Sequence, residues 1–285
     1  MAASPTAGDE QVALWNGASG QSWVEAQELL DEMFAPFEEL LVESADTKPR
    51  RRVLDVGCGT GSTTLAIKRR LGPEAECVGI DISQPMLERA RARAKRARVQ
   101  VNFLCANAEE HAFDQGSFDL ITSRFGVMFF TDSIRAFENL RRSASENADL
   151  CLIAWRSVSE NPFMTTAERA VAAILPGLAG RDLDGPGQFR FAESKLVRHI
   201  LERSGWGEIE IHPIDVECRF PEAELMHYVT RLGPLGRAMR ESDEETKARL
   251  ITAVRPAFAP YVEAGVVRFS AACWKIGARA SSTPA

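Results

Sequence analysis

One stretch of the 285-residue chain constrains its fold more than any other. Val53-Leu54-Asp55-Val56 is a short β-rich run that ends in Gly57-Cys58-Gly59-Thr60-Gly61, and Leu65, Ala66, Ile67 and Leu71 then recur at helical spacing. The reading is strand, glycine turn, helix, and the pattern repeats. Residues 77–81 form a second strand, Ser83 and Pro85 open a helix over 86–98, and residues 99–105 form a third strand. Residues 118–123 are a fourth, Thr131 or Asp132 caps a helix carrying Ile134, Phe137 and Leu140, and residues 150–155 are a fifth. Strands alternating with helices imply a parallel sheet covered on both faces, because parallel strands need a helix-sized crossover.

The flanks extend this α/β plan. Apolar positions from Val24 to Leu41 recur at helical spacing, and Pro36 predicts a break between two helices. After Trp155 regularity fails, and Pro162, Pro176, Gly177, Gly180, Gly185, Pro186 and Gly187 mark loops around a helix over 164–175. Residues 194–204 are helical up to Gly205, and 208–220 alternate as a sixth strand. Residues 222–263 are helical with breaks at Gly233-Pro234 and Pro256, and 266–276 close with a seventh strand. Residues 1–11 and 279–285 are small and polar and are expected to fray. The expected architecture is a doubly wound, Rossmann-like sheet of seven mostly parallel strands, the last antiparallel, with an inserted helical cap. Its segments are N-terminal helices over 1–48, a ligand-binding core over 49–155, an insertion over 156–191, a core helix and strand over 192–220, a helical cap over 221–266 and a last core strand over 267–279.

Composition narrows the function. With 34 Lys and Arg against 40 Asp and Glu the net charge is −6, so no domain-wide basic field exists to hold a polyanion by counterion release. No apolar run approaches the roughly 18 residues of a membrane span, and residues 1–10 lack the basic start and apolar stretch of a secretory signal. A soluble, cytoplasmic protein is expected. The six cysteines are scattered singly, which argues against a disulfide framework or zinc site; Cys58 lies in the glycine turn and the other five read as buried strand or strand-edge residues. No Asp, His and Asn cluster suggests a divalent cation, so no metal is expected.

A glycine turn between strand and helix lets backbone N–H groups approach an anionic ligand at a positive helix end. The dinucleotide fingerprint needs glycines at its first, third and sixth positions, but the sixth here is Ser62 and the pattern is Gly57-x-Gly59-x-Gly61. No Lys-Ser or Lys-Thr pair follows, which excludes a nucleotide-triphosphate loop. The second strand ends in Asp81, whose carboxylate can accept hydrogen bonds from both hydroxyls of a ribose. The third runs into Ala106-Asn107-Ala108-Glu109, where an amide could read an adenine edge.

On these residues the chain resembles the class I S-adenosylmethionine-dependent methyltransferases. The resemblance rests on residues 53–61, on Val78-Gly79-Ile80-Asp81-Ile82-Ser83 with Met86-Leu87, and on Phe118-Asp119-Leu120-Ile121-Thr122-Ser123. Through Ser123-Arg124-Phe125-Gly126-Val127-Met128-Phe129-Phe130, Trp155 and Asn161-Pro162, it is most similar to the small-molecule group around the ubiquinone and menaquinone C-methyltransferases. Trp15-Asn16-Gly17, Gln21 and Trp23 also fit, and the likeness is firm over 53–155 and looser afterwards. It implies S-adenosyl-L-methionine as cofactor and a small-molecule methyl acceptor, with no nucleic acid or integral membrane as partner; a homodimer stays open.

Carried over by position, it implies that Gly57, Gly59 and Gly61 pack against the methionine and ribose, and that Asp81, with Ile82 beside it, holds the ribose. Asn107 and Ala108 face the adenine, Ser123 and Arg124 line the methionine side, and Asp55 orients the turn or reaches the ammonium. Trp23, with Trp15, closes the cofactor from the N-terminal side or else staples the first helix. The chain departs from many relatives at Asn107, where they carry Asp, and at residues 145–148, where they carry Pro-Gly-Gly; Asn147 can adopt the left-handed backbone such a turn needs.

A sulfonium is already a good electrophile, so the protein must align an acceptor with the methyl carbon and exclude water. Carbon and phenolic acceptors also lose a proton, for which His111 and His227 are the candidates; His199 and His212 read as structural. The insertions could roof an apolar pocket through Phe163, Met164, Phe189, Phe191, Met226, Tyr228, Leu232, Leu235 and Met239, or these could simply pack their helices onto the sheet. The cations Arg89, Arg91, Arg93, Lys95, Arg96 and Arg98 read as a solvated outer helix face. The expected activity is methyl transfer to an O, C or N acceptor on a small or lipophilic metabolite. The alternatives are a nicotinamide oxidoreductase, an RNA or protein methyltransferase, and a non-catalytic cofactor-binding partner subunit.

Overall fold

The computed structural model describes residues 6–49, 51–179 and 185–280. Three helices come first, α1 (Ala7–Asn16), α2 (Ala18–Glu25) and α3 (Gln27–Ala45). The alternating core follows: β1 (Arg52–Val56), α4 (Ser62–Leu71), β2 (Glu76–Asp81), α5 (Gln84–Ala97), β3 (Asn102–Cys105), β4 (Phe118–Arg124), α6 (Ser133–Ser143) and β5 (Ala144–Trp155). The remainder is α7 (Thr166–Val171), α8 (Ser194–Arg203), β6 (Gly207–Pro221), α9 (Leu225–Arg231), α10 (Gly233–Glu241), α11 (Glu244–Ala257), β7 (Val262–Glu263) and β8 (Val266–Arg279).

The strands form one sheet in the order β3-β2-β1-β4-β5-β8-β6, with the two-residue β7 added on β8. The five N-terminal strands run parallel, and β8 is antiparallel to both β5 and β6. All seven expected strands are therefore present, and the seventh, β8, is inserted antiparallel as expected. The chain winds outward from β1 to β3, then returns to β4 on the other side of β1. In such sheets the crevice outside the carboxyl ends of the strands, at this reversal, is where ligands bind. β1 and β4 are buried along nearly their whole length, which is why they read as apolar runs without alternation.

Several expectations need correction. Pro36 does not divide two helices: it lies inside α3, where Met33, Phe34, Phe37 and Leu41 continue one buried face across it, and packing that face outweighs the lost backbone bond. The chain breaks instead at Gly17 and Ala26. Residues 7–11 do not fray but belong to α1, capped by Thr6 and Asp9 in a reciprocal hydrogen-bonded box, and Arg279 pairs with Asp149 in the sheet. Residues 1–5 and 281–285, and the loop position Gly180, lie outside the described residues. The helix expected over 164–175 shrinks to α7, and a further break at Ser242-Asp243 separates α10 from α11, where Asp243 caps the new helix. Cys105 is exposed on the outer strand β3, whereas Cys77, Cys151, Cys218 and Cys273 are buried. Asn147 has φ +60°, the left-handed backbone its position requires.

The cationic face of α5 is not wholly solvated. Arg93 ion-pairs with Asp31 of α3 at 2.5 Å and donates to the Thr60 carbonyl, and Arg89 donates to Gln27. These contacts hold the N-terminal helices against the core. At the other end Asn16 Nδ2 donates to the Ile82 carbonyl at 2.8 Å, its Oδ1 accepts from Gln84 N, and Ser83 Oγ donates to the Trp15 carbonyl. Helices α1 to α3 are thus tied across the carboxyl ends of β1 and β2.

Candidate active site

The loops after β1 and β4 meet at backbone contact. A Cβ added to Gly57 would lie 2.6 Å from Gly126 Cα, and one on Gly126 would lie 2.7 Å from Gly57 Cα. Gly57 also has φ +67°, so glycine is required there twice over. Ser123 locks the junction: its hydroxyl donates to the Val56 carbonyl at 2.7 Å and accepts from the backbone N–H groups of Gly126 and Val127. Next to it Phe125 holds φ +65°, and its ring stacks on Trp155 at 4.7 Å. A bulky residue in that region is strained, and strain of this kind persists where surrounding packing fixes it.

The carboxylate of Asp81 closes the turn from the β2 side. Gly59 N donates to one oxygen and Ser83 N to the other, each at 2.8 Å. These bonds use only part of the carboxylate's acceptor capacity. Burial pushes the Asp81 carboxyl up from the usual range, against the hydrogen bonds that lower it. Asp55 is more deeply enclosed: burial raises it to about 7, although the Thr64 hydroxyl at 2.5 Å and the Arg124 charge pull the other way. Burial lowers the Arg124 guanidinium, and the carboxylates of Glu38, Asp31 and Asp55 counter that effect.

A cavity of about 150 Å³ opens at this point. Of the residues that sequence reading selected, Trp23, Asp55, Gly57, Gly59, Asp81, Ile82, Asn107, Ala108 and Arg124 line it. Two do not. Gly61 starts α4 with φ +81°, and a Cβ there would meet Phe103 and Ala90, so this glycine seats the turn on α5 and β3. Ser123 is fully buried and spends its hydroxyl on the loop junction. Asn107 lines the cavity while its Oδ1 accepts from Glu109 N at 3.0 Å, so the oxygen expected to face adenine is shared with the backbone. Sequence reading missed Asp31, which lines the cavity from α3. No local signal identifies it, because it is set by the long-range pairing with Arg93.

A second cavity of about 670 Å³ adjoins the first; Trp15, Trp23, Leu30, Phe34, Phe125 and Phe129 line both. Its far side is built by the inserted helices, through Phe163, Met164, Phe189, Tyr228, Leu232 and Leu235. Phe191, Met226 and Met239 are not on it, and Phe191 is fully buried core. Phe130 is 7% exposed and borders the first cavity.

Neither histidine candidate reaches either cavity. His111 packs edge-on against Phe113 at 4.6 Å in the loop after β3, and His227 is exposed on α9. Glu168 of α7, 5% exposed, is a carboxylate that lines the second cavity and that sequence reading passed over.

A methyltransferase domain profile matches residues 53–147, from β1 to the start of β5. A demethylmenaquinone methyltransferase of Thermus thermophilus is 33% identical over 150 residues, 53% of this chain and 68% of that protein. The chain belongs to the class I S-adenosylmethionine-dependent methyltransferases. A nocamycin O-methyltransferase of Saccharothrix syringae is 29% identical over 209 residues, covering 68% of this methyltransferase and 73% of its relative. In fold, the methyltransferase is similar to the YcgJ protein of Bacillus subtilis, with a TM-score of 0.57 and 19% identity over 87% of this chain and all of that one. Its cofactor is S-adenosylmethionine, and the first cavity has the chemistry to suit that molecule: a carboxylate at one strand end, a glycine floor, and further acidic groups on its wall.

Among the described residues no helix is long and apolar enough to cross a membrane.

Proposed function

We propose that this methyltransferase transfers the methyl group of S-adenosylmethionine to a lipophilic small molecule seated in the second cavity. The observation that carries this reading is the shared wall: donor cavity and acceptor chamber meet at Trp15, Trp23, Phe34, Phe125 and Phe129, so a methyl group at the inner end of one abuts the other. The bound cofactor supplies an electrophilic methyl carbon on a sulfonium. In this reading Asp81 takes the ribose hydroxyls, Gly57 and Gly59 admit the chain to the backbone, and Asp55, Asp31 and Arg124 hold the charged amino-acid end. The aromatic wall excludes water and restrains the acceptor for in-line approach.

Held by these residues, the cofactor would supply the methyl group to the acceptor atom and would keep the carbon–sulfur electron pair, leaving as its neutral thioether product. The acceptor's proton passes to a base, and Glu168 is the carboxylate we assign to that role. A ubiquinone/menaquinone biosynthesis C-methyltransferase and a nocamycin O-methyltransferase among the relatives support carbon or oxygen as the acceptor atom.

Calorimetric titration with S-adenosylmethionine and its demethylated product, followed by turnover of naphthohydroquinone and phenol panels read by mass spectrometry, tests the reading. Micromolar cofactor binding with a methylated apolar product is expected. Cofactor binding without any such product would overturn the acceptor assignment, and tight NADH binding without S-adenosylmethionine binding would overturn the donor assignment.

A further inference from the structure

The two cavities differ in charge. Among the described residues, Asp31, Asp55, Asp81 and Glu109 line the donor cavity against the single cation Arg124. Among the described residues the acceptor chamber reverses the balance: Arg231, Arg237 and Arg240 line it against Glu168 and Glu241. In a chain of net charge −6 this segregation is not the average composition. An acidic donor cavity suits a cofactor carrying a sulfonium and an ammonium, and by the same logic a cationic rim suits an anion.

The three arginines mark a definite place, the seam where α9 and α10 meet α2. Arg231 pairs with Glu25 of α2 at 3.6 Å, and Arg240 Nη1 donates to Ser22 Oγ of α2 at 3.2 Å and to the Arg231 carbonyl at 3.3 Å. Arg237 lies one turn before Arg240 on α10, lines the same chamber and makes no ion pair among the described residues. Beneath the seam the wall is apolar, with Phe163, Tyr228 and Leu235. A guanidinium presents forked donors matched to carboxylate, sulfonate or phosphate oxygens.

We infer that the acceptor is amphipathic, an apolar body in the chamber bearing an anionic group that Arg237 and Arg240 hold at the seam between α10 and α2. This rests on the second cavity being the acceptor site, and the test separates the two statements.

Two fluorescent probes share one aromatic skeleton: 1-anilinonaphthalene-8-sulfonate carries a sulfonate and N-phenyl-1-naphthylamine does not. Each is titrated into protein saturated with demethylated cofactor product. The expected result is saturable binding of both, weakened in Leu235→Trp, which adds a bulky ring to the chamber wall. The double variant Arg237→Gln, Arg240→Gln should weaken the sulfonate probe tenfold or more and the neutral probe less than twofold, and added salt should reproduce that difference. Arg249→Gln on α11, outside the chamber lining, should change neither. Equal effects of the double variant on both probes, or none on either, would overturn the anionic group while leaving the chamber as the acceptor site. Failure of both probes to bind wild type, or their indifference to Leu235→Trp, would overturn the chamber itself and this inference with it.

Discussion

The first cavity is floored by backbone at the ends of β1, β2 and β4, whereas the second is walled by side chains, from α1 to α3 on one side and from the helices inserted after β5 and β6 on the other. The first depends on close approach: two glycines in contact, a carboxylate holding two amides, and a serine tying two loops. The second depends on bulk, with rings of Phe163, Tyr228, Phe258 and Trp155 packed through many weak contacts. A backbone site tolerates almost no change and suits a constant ligand. A side-chain site can be re-cut one residue at a time, which suits a specificity that differs between relatives.

The largest effect should come from the backbone junction. Gly126→Ala places a methyl 2.7 Å from the Gly57 Cα and the Val56 carbonyl. A destabilisation of about 3 kcal/mol by thermal or urea unfolding, with loss of cofactor binding, is expected. Asp81→Ala should weaken S-adenosylmethionine by about 1.5–3 kcal/mol, tenfold or more, in calorimetry. The opposite selectivity is expected across the shared wall: Leu235→Trp should abolish acceptor turnover while cofactor affinity stays within about twofold. A variant that impaired both equally would show that the two cavities are one.

Proton removal separates the carboxylate from the histidines. Glu168→Gln should lower turnover by about a hundredfold with cofactor binding intact, while His111→Ala and His227→Ala should leave kcat within about twofold.

The smallest effect is in pH. Asp55 has its carboxyl raised to about 7 by burial, so the folded protein holds a proton there that the unfolded chain releases above about 4. Its contribution to stability is complete below the ordinary carboxylate range and is lost as pH rises toward 7. A cofactor ammonium favours the ionised form, so affinity should rise between about pH 5.5 and 7, by about tenfold per unit at most. Asp55→Asn should flatten that rise, and an unchanged slope would remove Asp55 from cofactor recognition.

Much of the donor side was legible because it is local. Gly57, Gly59, Asp81, Asn107 and Arg124 sit at the ends of strands that periodicity already reveals, so finding the strands finds the residues. Gly61 and Ser123 carry the right sequence pattern but serve packing, since a pattern does not say on which side of a loop a residue faces. The histidine candidates lie off both cavities for a different reason. Histidine has the ordinary pKa for the task, yet the face of α9 and the direction of the loop after β3 place His227 and His111 away from both cavities.

Spacing within a few residues sets the alternation of strand and helix, hence the parallel sheet, and the chemistry of the glycine turn. Only the tertiary structure decided that α3 runs unbroken through Pro36, that Asp31 meets Arg93, and that three arginines and a buried glutamate share a chamber with ten aromatic side chains. Those outcomes depend on which faces meet across long stretches of chain, and packing free energy summed over many contacts selects them where no local preference can.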